Sequence, residues 1–374
     1  MMQAAALSSI GARRAESPGL WILAWRRFCR DRVGFASFLI VVFFFGLMAA
    51  SGLHLIAADW SKEVGVNYAP PTFIGPAVSD GGPAAPAAPE PSRGQSAGEA
   101  NPVDPLADVL SEIRRPAGGG DSNVVDPLAD VLAGIRAESS GASIAEATAP
   151  TLVFGGDRWG RDVLKKTIKG TETSMFVGLV AAFLAAFLAT VFGALAGYYG
   201  GWIDDFFNWF YSVFTSIPYL LLILAIAAVL NQKGTLTVIL ILGLTGWTGI
   251  FRLVRAEYLK HRVREYIQAA DAIGASHARR MFVHILPNVS HVVLVQLSLH
   301  VVLFIKSEVV LSFLGFGVGV DTVSWGSMLN EAQSELILGY WWQLVAATIA
   351  MALLVTGFSL FTDALRDALD PKLK

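Results

Sequence analysis

Long apolar blocks, separated by shorter polar segments, dominate the pattern of hydrophobic and polar positions along the chain. A helix of about 20 apolar residues crosses the ~30 Å hydrocarbon core of a membrane. Six blocks are near that length, and they lie at 33–58, 174–198, 209–230, 236–251, 289–314 and 342–361. The first is longer than the apolar core of a signal peptide and follows a polar segment, 1–32. The pattern therefore predicts an all-α polytopic membrane protein with six transmembrane helices.

Basic residues indicate how these helices are oriented. Six arginines precede the first block, seven lysines and arginines lie between the fourth and fifth blocks, and residues 315–341 contain none. Cytoplasmic loops of membrane proteins carry an excess of Lys and Arg. We therefore expect a multi-pass protein of the cytoplasmic (inner) membrane with both termini in the cytoplasm. Residues 59–173 form the expected extracytoplasmic loop.

Composition narrows the class of protein. Of the 374 residues, 54% are hydrophobic and 16% are charged, whereas an average soluble domain is about 25% charged. A soluble enzyme is therefore excluded. The net charge of −2 argues against a nucleic-acid partner. The single cysteine, Cys29, excludes an intramolecular disulfide and a multi-cysteine metal site.

The segment ahead of the first block predicts contact with membrane lipid. Trp21, Trp25 and Phe28 share one face of a helix, and the neighbouring arginines point elsewhere. This pattern is typical of a helix that lies in the membrane interface, with its aromatic rings at headgroup level. A cytosolic extension of the first transmembrane helix is the alternative.

The loop after the first block differs from the rest of the chain. Residues 76–150 are rich in Pro, Ala, Gly, Ser and Asp, and the octapeptide VDPLADVL occurs there twice at a spacing of 22. Such a composition buries too little apolar surface to order itself, and amphipathic helices this short are marginal in isolation. The prediction is a largely disordered insertion with transient helices. A docking motif for an extracytoplasmic partner is the alternative.

No pattern of catalytic chemistry stands out. The nearest match to a nucleotide-binding loop, 160–167, lacks the second glycine and lies in the external loop. His277, His284 and His291 are spaced by seven, which places their imidazoles about 10 Å apart along a helix, too far for one metal ion. Pro287 is also expected to interrupt that helix. We therefore predict no catalytic, cofactor or metal site.

Lys306 and Glu308 are the only ionisable pair well inside an apolar block. Charged side chains are costly in hydrocarbon and often functional there, and residues two apart on a helix face different ways. We expect each side chain to face the bundle interior, a cavity or a headgroup layer. A proton relay would need further ionisable groups in the other blocks, which are absent.

The loop between the fourth and fifth blocks carries the most specific pattern. Residues 263–272 suit a helix with a small-residue face, and Gly274 is expected to end it because glycine tolerates left-handed backbone. Ser276 can cap a second helix that reaches Ile285, before Pro287 opens the fifth transmembrane helix. Two short helices around a glycine corner can transmit a push from a soluble partner to the membrane helices. An ordinary basic loop is the alternative.

Part of this loop resembles a known motif. The sequence Gln268-Ala269-Ala270, with Gly274 and Leu286-Pro287, resembles the Glu-Ala-Ala-x3-Gly motif of binding-protein-dependent ABC importer permeases. It departs at Gln268, where the motif has Glu, and at His284, where it has Ile. Other segments resemble the dipeptide/oligopeptide/nickel family of these permeases, C-type subunit, and they lie at 25–28, 160–164, 197–204, 216–218, 311–315, 325–326 and 363–371.

The resemblance covers about 20–60 and 150–374, whereas the 76–150 insertion is unlike the usual member. It implies the following division of the chain: a cytoplasmic N-terminus with the interfacial helix (1–32), the first transmembrane helix (33–58), the extracytoplasmic loop (59–173), a permease core of five further transmembrane helices (174–361) and a cytoplasmic tail (362–374).

The resemblance also implies partners. The chain would form half of a translocation pathway with a homologous permease subunit. Two cytosolic ABC ATPase subunits and an extracytoplasmic solute-binding protein would complete an ATP-driven importer. ATP would then be hydrolysed on the ATPase subunits, so the chain would be no enzyme and would hold no cofactor. Dipeptides or oligopeptides are the implied solutes. Nickel or another small solute, and a secondary carrier, are the alternatives.

Site residues are implied by the matched positions. The coupling loop, residues 252–286, is the expected contact with the ATPase subunits. Its implied contact residues, with the proline that follows, are Gln268, Ala269, Ala270, Asp271, Gly274, Leu286 and Pro287. The pathway or gating candidates are Ser216, Pro218, Glu308 and Ser312. A bulky or charged residue at Gly274 or Ala270 is expected to abolish ATPase association or transport, whereas deletion of about 76–150 should leave transport largely intact.

Overall fold

The computed structural model describes residues 28–75, 149–319 and 321–369. The predicted interfacial positions Trp21 and Trp25 and the VDPLADVL repeat lie outside these ranges. Within them the chain is helical, with isolated β-bridges and no longer strand, which confirms the predicted all-α class. The elements are α1 (Arg32–Gly52), α2 (Val163–Tyr199), α3 (Gly201–Thr215), α4 (Tyr219–Leu230), α5 (Thr235–Thr245), α6 (Thr248–His261), α7 (Glu265–Ala272), α8 (His277–Arg279), a π-helical turn (Arg280–Ile285), α9 (Leu286–Phe313), α10 (Trp325–Ile337) and α11 (Trp342–Leu369).

Five helical segments in the described ranges are long and apolar enough to cross a membrane. They are Arg32–Gly52, Val163–Tyr199, Thr235–His261, His277–Phe313 and Trp342–Ala368. The pair α3 and α4 passes the same test when taken together, although its two helices are bent by 82°. The described chain therefore has five helices able to cross a membrane, or six if the bent pair is one broken crossing, in agreement with the predicted six.

The third predicted crossing, 209–230, is not one straight helix. Helix α3 ends at Thr215 and α4 begins at Tyr219, with Pro218 directly before it. Proline has no N–H to donate to the preceding turn, and its ring disfavours helical backbone at the residue before it. The Ser216 hydroxyl donates instead to the carbonyl oxygen of Val213 at 2.8 Å. An apolar block can thus contain a break that hydropathy does not reveal.

Helix α2 begins at Val163, well before the predicted start at 174. The Asp162 carboxylate caps it by accepting the N–H of Leu164 at 2.9 Å. Its first turns are polar, and Lys169 and Glu172 form an ion pair of 2.7 Å there. Because those turns carry charges, a search for apolar blocks does not find them.

Helix α2 also organises the bundle, because it packs against α1, α5, α6 and α9. Glycines allow α6 to approach it closely. A Cβ atom on Gly193 would lie 2.9 Å from the Val254 side chain, and one on Gly197 would lie 2.6 Å from the carbonyl oxygen of Arg255. Small residues at helix contacts are a common means of close packing in membranes.

We expect Gly197→Ala to lower the thermal stability of the purified chain in detergent. The added methyl group would lie 2.6 Å from the Arg255 carbonyl oxygen and from the Tyr258 Cβ, so it must push α6 away. Overpacking of this kind costs about 1–3 kcal/mol. The unfolding midpoint, followed by circular dichroism, measures the effect. Gly46→Ala in α1 is the matched control because nothing lies within 4 Å of its new methyl group, and equal midpoints would contradict close packing of α2 on α6.

Candidate functional site

Residues 265–274 of the coupling loop form an amphipathic helix with a glycine end. In α7 the side chains of Ile267 and Ala270 are buried. Gly274 has φ +82°, its N–H donates to the Asp271 carbonyl at 2.8 Å, and the Ala275 N–H donates to the Ala270 carbonyl at 3.0 Å. These two bonds are those of a Schellman motif, which ends helices with a left-handed residue. The predicted stop at Gly274 is confirmed.

The second half of the loop differs from the prediction of a separate short helix. The Ser276 hydroxyl caps α8 by accepting the Arg279 N–H at 3.3 Å. The chain then continues through the π turn into α9, so that His277–Phe313 is one helical segment of 37 residues. The expected interruption at Pro287 is therefore wrong. A π turn is a common way to accommodate a distorted backbone within a helix, and here it stands directly before the turn that contains the proline.

Polar contacts tie the coupling loop to itself across the glycine corner. Arg280 Nη1 and the Asp271 carboxylate form an ion pair at 2.5 Å. His277 Nδ1 lies 3.0 Å from Arg280 Nη2 and 3.0 Å from the Tyr198 hydroxyl. Since both neighbours are donors, this ring nitrogen acts as the acceptor. The contacts join α7 and α8 to the last residues of α2.

Two further hydrogen bonds attach the loop to neighbouring helices. Arg262 Nη1 reaches the Tyr198 carbonyl oxygen at 3.4 Å, at the end of α2. The buried Tyr258 hydroxyl of α6 donates to the Met281 carbonyl in the π turn at 3.1 Å. The residues on both sides of α7 are therefore hydrogen-bonded to the end of α2 and to α6.

The outer surface of α7 carries polar and small side chains. Gln268, Ala269 and Asp271 are exposed, whereas Ala270 is buried with 6% exposure. Ile273, between α7 and Gly274, is 85% exposed. Its side chain lies off the buried face of α7 and directly before the left-handed Gly274. Ile273 is not among the predicted contact residues, although its position one residue before a helix-ending glycine, off the buried face, is a signal in the sequence.

The remaining predicted coupling positions lie at the start of α9. Leu286 is half-buried and Pro287 is exposed. The Pro287 carbonyl accepts the Ser290 hydroxyl at 2.7 Å. The structure thus brings Gln268, Ala269 and Gly274 onto one exposed surface, and it places Leu286 and Pro287 on the helix that follows the π turn.

Glu308 and Ser312, two of the pathway candidates, belong to a buried network. The fully buried Glu308 carboxylate accepts the hydroxyls of Ser174 and Ser312, each at 2.7 Å. Ser174 in turn accepts the backbone N–H of Trp325 at 3.2 Å. The network joins α9, α2 and the first residue of α10. Lys306, two residues earlier, is exposed, which confirms that the two ionisable residues face different ways.

Ser216 and Pro218, the other pathway candidates, lie at the bend of the broken crossing and are exposed. Their hydrogen bonds do not connect them with Glu308. Helix α3 before the bend has no fully buried side chain, and Trp202 and Trp209 are among its most exposed residues. This apolar face has no partner within the described chain.

A buried ion network lies at the end of the bundle that α10 occupies. Lys166 Nζ contacts the Asp157 carboxylate at 2.8 Å, the Glu331 carboxylate at 2.5 Å and the Gln343 side-chain oxygen at 3.3 Å. Lys166 and Asp157 are both almost completely buried. The network connects the loop before α2, the α2 helix, α10 and α11. No local sequence pattern predicts this network, because its members are far apart in the chain.

Glu335 lies near this network and is itself buried, and neither of its carboxylate oxygens has a well-formed hydrogen bond. Burial raises the pKa of Glu335 to about 7, although the charge of Lys166 opposes the shift. An unpartnered carboxylic acid in such a place stays protonated more readily than one in water.

We expect Glu335→Gln to remove part of the pH dependence of stability. Because the folded pKa of Glu335 lies above its ordinary value of 4.5, its stabilising effect is complete below pH 4.5 and is lost as the pH rises through about 7. The variant should therefore melt above wild type at pH 8 and close to it at pH 4.5. Exposed Glu63 supplies the control, Glu63→Gln. An equal change in the melting temperature of Glu335→Gln at pH 8 and at pH 4.5 would contradict the prediction.

Within the described residues no group of three or more His, Cys, Asp or Glu side chains is arranged to hold a metal ion. His277 is instead bonded to Tyr198 and Arg280. Polar chemistry in the described chain is thus concentrated in the coupling loop, the Glu308 network and the Lys166 network.

These features define a multi-pass, all-α membrane protein with a helix–glycine–helix unit at one end of its bundle. Residues 189–374 match the family described as "Binding-protein-dependent transport system inner membrane component". The chain is 38% identical over 221 residues to the dipeptide transport system permease protein DppC of Bacillus subtilis, covering 59% of this chain and 69% of that protein. The chain belongs to this family of inner membrane transport components.

Two other relatives cover a similar region. The oligopeptide transport system permease protein OppC of Bacillus subtilis is 35% identical over 221 residues, with 59% of this chain and 72% of that protein covered. The glutathione transport system permease protein GsiD of Salmonella typhimurium is 39% identical over 221 residues, with the same coverage of 59% and 72%. The predicted resemblance to binding-protein-dependent permeases is confirmed.

Proposed function

We propose that the chain is a permease subunit of an ATP-driven peptide importer. The proposal is carried by the exposed surface of α7, which has Ile273 at its end and is fixed by the hydrogen-bonded Gly274 turn. Membership of the family gives that surface its proposed role as the ATPase contact. The relatives named for dipeptide, oligopeptide and glutathione transport support peptides as the solute. A homologous permease, two ATPase subunits and a solute-binding protein are the proposed partners, and ATP is hydrolysed on the ATPase subunits.

The contacts of the coupling loop support a mechanism for coupling. A soluble subunit that moves α7 must differ in its contacts between two states to do work. The Asp271–Arg280 ion pair makes α7 and the π turn move together. The bond between Tyr258 and Met281 and the bond between Arg262 and Tyr198 carry that movement to α6 and α2. The proposed result is a rotation of these helices that opens the pathway alternately to each side.

The unpartnered face of α3 is the proposed contact with the homologous permease. Trp202 is 80% exposed and Trp209 62% exposed, and the helix pair is bent at Ser216 and Pro218. Broken helices in transporters often supply the substrate pathway. We therefore retain Ser216 and Pro218 as pathway candidates. For Glu308 and Ser312 we propose a latch between α9, α2 and α10, because their polar atoms are bonded inside the chain.

The proposed topology places the coupling loop and both termini in the cytoplasm. The seven basic residues between the fourth and fifth blocks support it. The α10 end is then extracytoplasmic, together with the expected loop 59–173. The division of the chain into 1–32, 33–58, 59–173, 174–361 and 362–374 is retained on the same basis.

Deletion of residues 76–149 is expected to leave peptide uptake largely intact. The two described segments that flank the insertion are hydrogen-bonded to each other, because Thr72 N–H donates to the Leu152 carbonyl at 2.9 Å and Leu152 N–H donates to the Pro70 carbonyl at 3.2 Å. A short Gly-Ser linker can therefore join 75 to 150. Uptake by cells carrying the shortened chain measures the effect. A collapse of uptake with normal assembly would favour the docking alternative for the insertion.

Reconstitution tests the proposed function. The chain, its homologous permease and the two ATPase subunits are placed in liposomes, and uptake of a labelled dipeptide is measured. The solute-binding protein is supplied on the side of the extracytoplasmic loop, and ATP is supplied on the side of the coupling loop. We expect uptake only with all components and hydrolysable ATP. Uptake of nickel without uptake of peptide would favour a nickel importer. ATP-independent uptake by the chain alone would favour a secondary carrier.

A further inference from the structure

A cavity of about 260 Å³ lies at the α10 end, beside the Glu308 and Lys166 networks. Its wall combines the segment before α2, the turn after α4, the glycine-rich turn after α9 and the first half of α10. Ser312, at the end of α9, forms part of it. The cavity is smaller than the ~300–1,000 Å³ typical of sites for a whole drug-sized ligand. It suits one end of a longer molecule.

The wall carries excess positive charge. Arg158, Arg161 and Lys233 line the cavity, and within the described ranges no ion pair joins any of the three to a carboxylate. Glu331 is the acidic residue of the wall, and one of its oxygens is occupied by Lys166. Arg161 Nε is buried and has no hydrogen-bond acceptor. Unpaired cations held together in this way attract an anionic group.

The two arginines are held in place by neighbouring groups. The Arg158 guanidinium lies 3.6 Å from the centre of the Trp159 ring, and that of Arg161 lies 4.6 Å from it. The backbone N–H groups of Trp159 and Arg161 both donate to one oxygen of the buried Asp157 at 2.9 Å. Cations stacked on an indole and anchored through the backbone are preorganised for a ligand.

We propose that this cavity binds the C-terminal carboxylate of the transported peptide. The proposal rests on the proposed function, because a peptide solute always ends in a carboxylate unless it is capped. Arginine is well suited to a planar carboxylate because its guanidinium donates two parallel hydrogen bonds. Trp60 offers apolar surface to the last side chain of the peptide. Under the proposed topology the cavity opens on the side from which the peptide arrives.

The test compares a labelled dipeptide with its C-terminal amide in the reconstituted transporter. Because the solute-binding protein also selects its ligand, the informative quantity is the change between wild type and variant with the same binding protein. In Arg161→Gln we expect the uptake KM of the free acid to rise at least tenfold and that of the amide to stay within twofold. Lys62→Gln, which removes an exposed cation that does not line the cavity, should change neither.

Other outcomes separate the alternatives. Equal loss of acid and amide uptake in Arg161→Gln would overturn the proposal in favour of a structural role. If Arg161→Gln loses acid and amide uptake equally and also binds the peptide-free solute-binding protein more weakly, the cavity binds an acidic side chain of that protein instead of the peptide. Saturation-transfer NMR with N-acetylglycine measures carboxylate binding by the cavity independently of transport. If wild type binds N-acetylglycine, Arg161→Gln does not, and wild type takes up no peptide, the proposed function alone is overturned. If wild type and Arg161→Gln both take up peptide with no preference for the free acid over the amide, the cavity proposal alone is overturned.

Discussion

Replacement of Ile273 by aspartate is expected to separate the chain from its ATPase subunits while leaving it folded in the membrane. The isoleucine is 85% exposed, so the chain itself loses no buried contact. If the side chain becomes buried against an ATPase subunit, its apolar contribution is about 1.5–3 kcal/mol, or about 10- to 100-fold in affinity. Burial of an unpaired carboxylate adds to that loss. Co-purification of the ATPase subunits and peptide-stimulated ATP hydrolysis measure the result.

A matched control is available at the other end of the bundle. Ile337, at the end of α10, is 87% exposed, and Ile337→Asp makes the same chemical change away from the coupling loop. It should leave ATPase association unchanged. If both variants retain the ATPase subunits, the α7 surface is not their contact. Ala270 is a less informative position than the sequence indicated, because its side chain is buried and a bulky substitution would disturb α7 itself.

Replacement of Lys166 by methionine is expected to destabilise the α10 end by about 3–5 kcal/mol, as found when one partner of a buried ion pair is removed. The change leaves the carboxylates of Asp157 and Glu331 without their shared cation, and Asp157 has no exposure to water. We expect a lower unfolding midpoint in detergent and less assembled transporter in the membrane. Thermal unfolding of the purified complex measures the first effect, and immunoblotting of membranes measures the second.

The neighbouring Lys165→Met is the control. Its ion pair with Asp59 is 2.7 Å long but the two side chains are 36% and 41% exposed, and exposed pairs contribute about 0–1 kcal/mol. A double variant, Lys166→Met with Asp157→Asn, should recover part of the lost stability because it removes the uncompensated charge. Equal midpoints for the two single variants would show that Lys166 does not hold the α10 end together.

Much of the bundle could be predicted because crossing a membrane imposes a length and a hydropathy on each helix. Those constraints are local in sequence, so the apolar blocks correspond to α1, α2, α5 with α6, α9 and α11. The bend at Ser216-Ile217-Pro218 was less predictable from hydropathy, since the helices on its two sides are together apolar enough for one crossing. The polar start of α2 at Val163 was not predicted because its turns carry charges. Charged turns can belong to a membrane helix when the protein pairs their charges, as Lys169 and Glu172 are paired here.

The candidate sites divide in the same way. Gly274 could be predicted because a helix end needs a left-handed residue, which is a property of the local chain. The exposure of Ile273 and the burial of Ala270 depend on how α7 packs on its neighbours. The Lys166 network depends on residues 157, 166, 331 and 343, which come together only in the folded chain. No local pattern encodes such a meeting.

The uninterrupted helix from His277 to Phe313 has a mechanical consequence. Its 37 residues extend for about 55 Å at 1.5 Å per residue, which is longer than the hydrocarbon layer is thick. One end lies in the coupling loop, and Ser312 at the other end forms part of the wall of the arginine-lined cavity. In the proposed transporter, a lever of this length would convert a small tilt at the coupling loop into a displacement of the cavity wall. The same helix would then connect the proposed ATPase contact to the proposed solute contact.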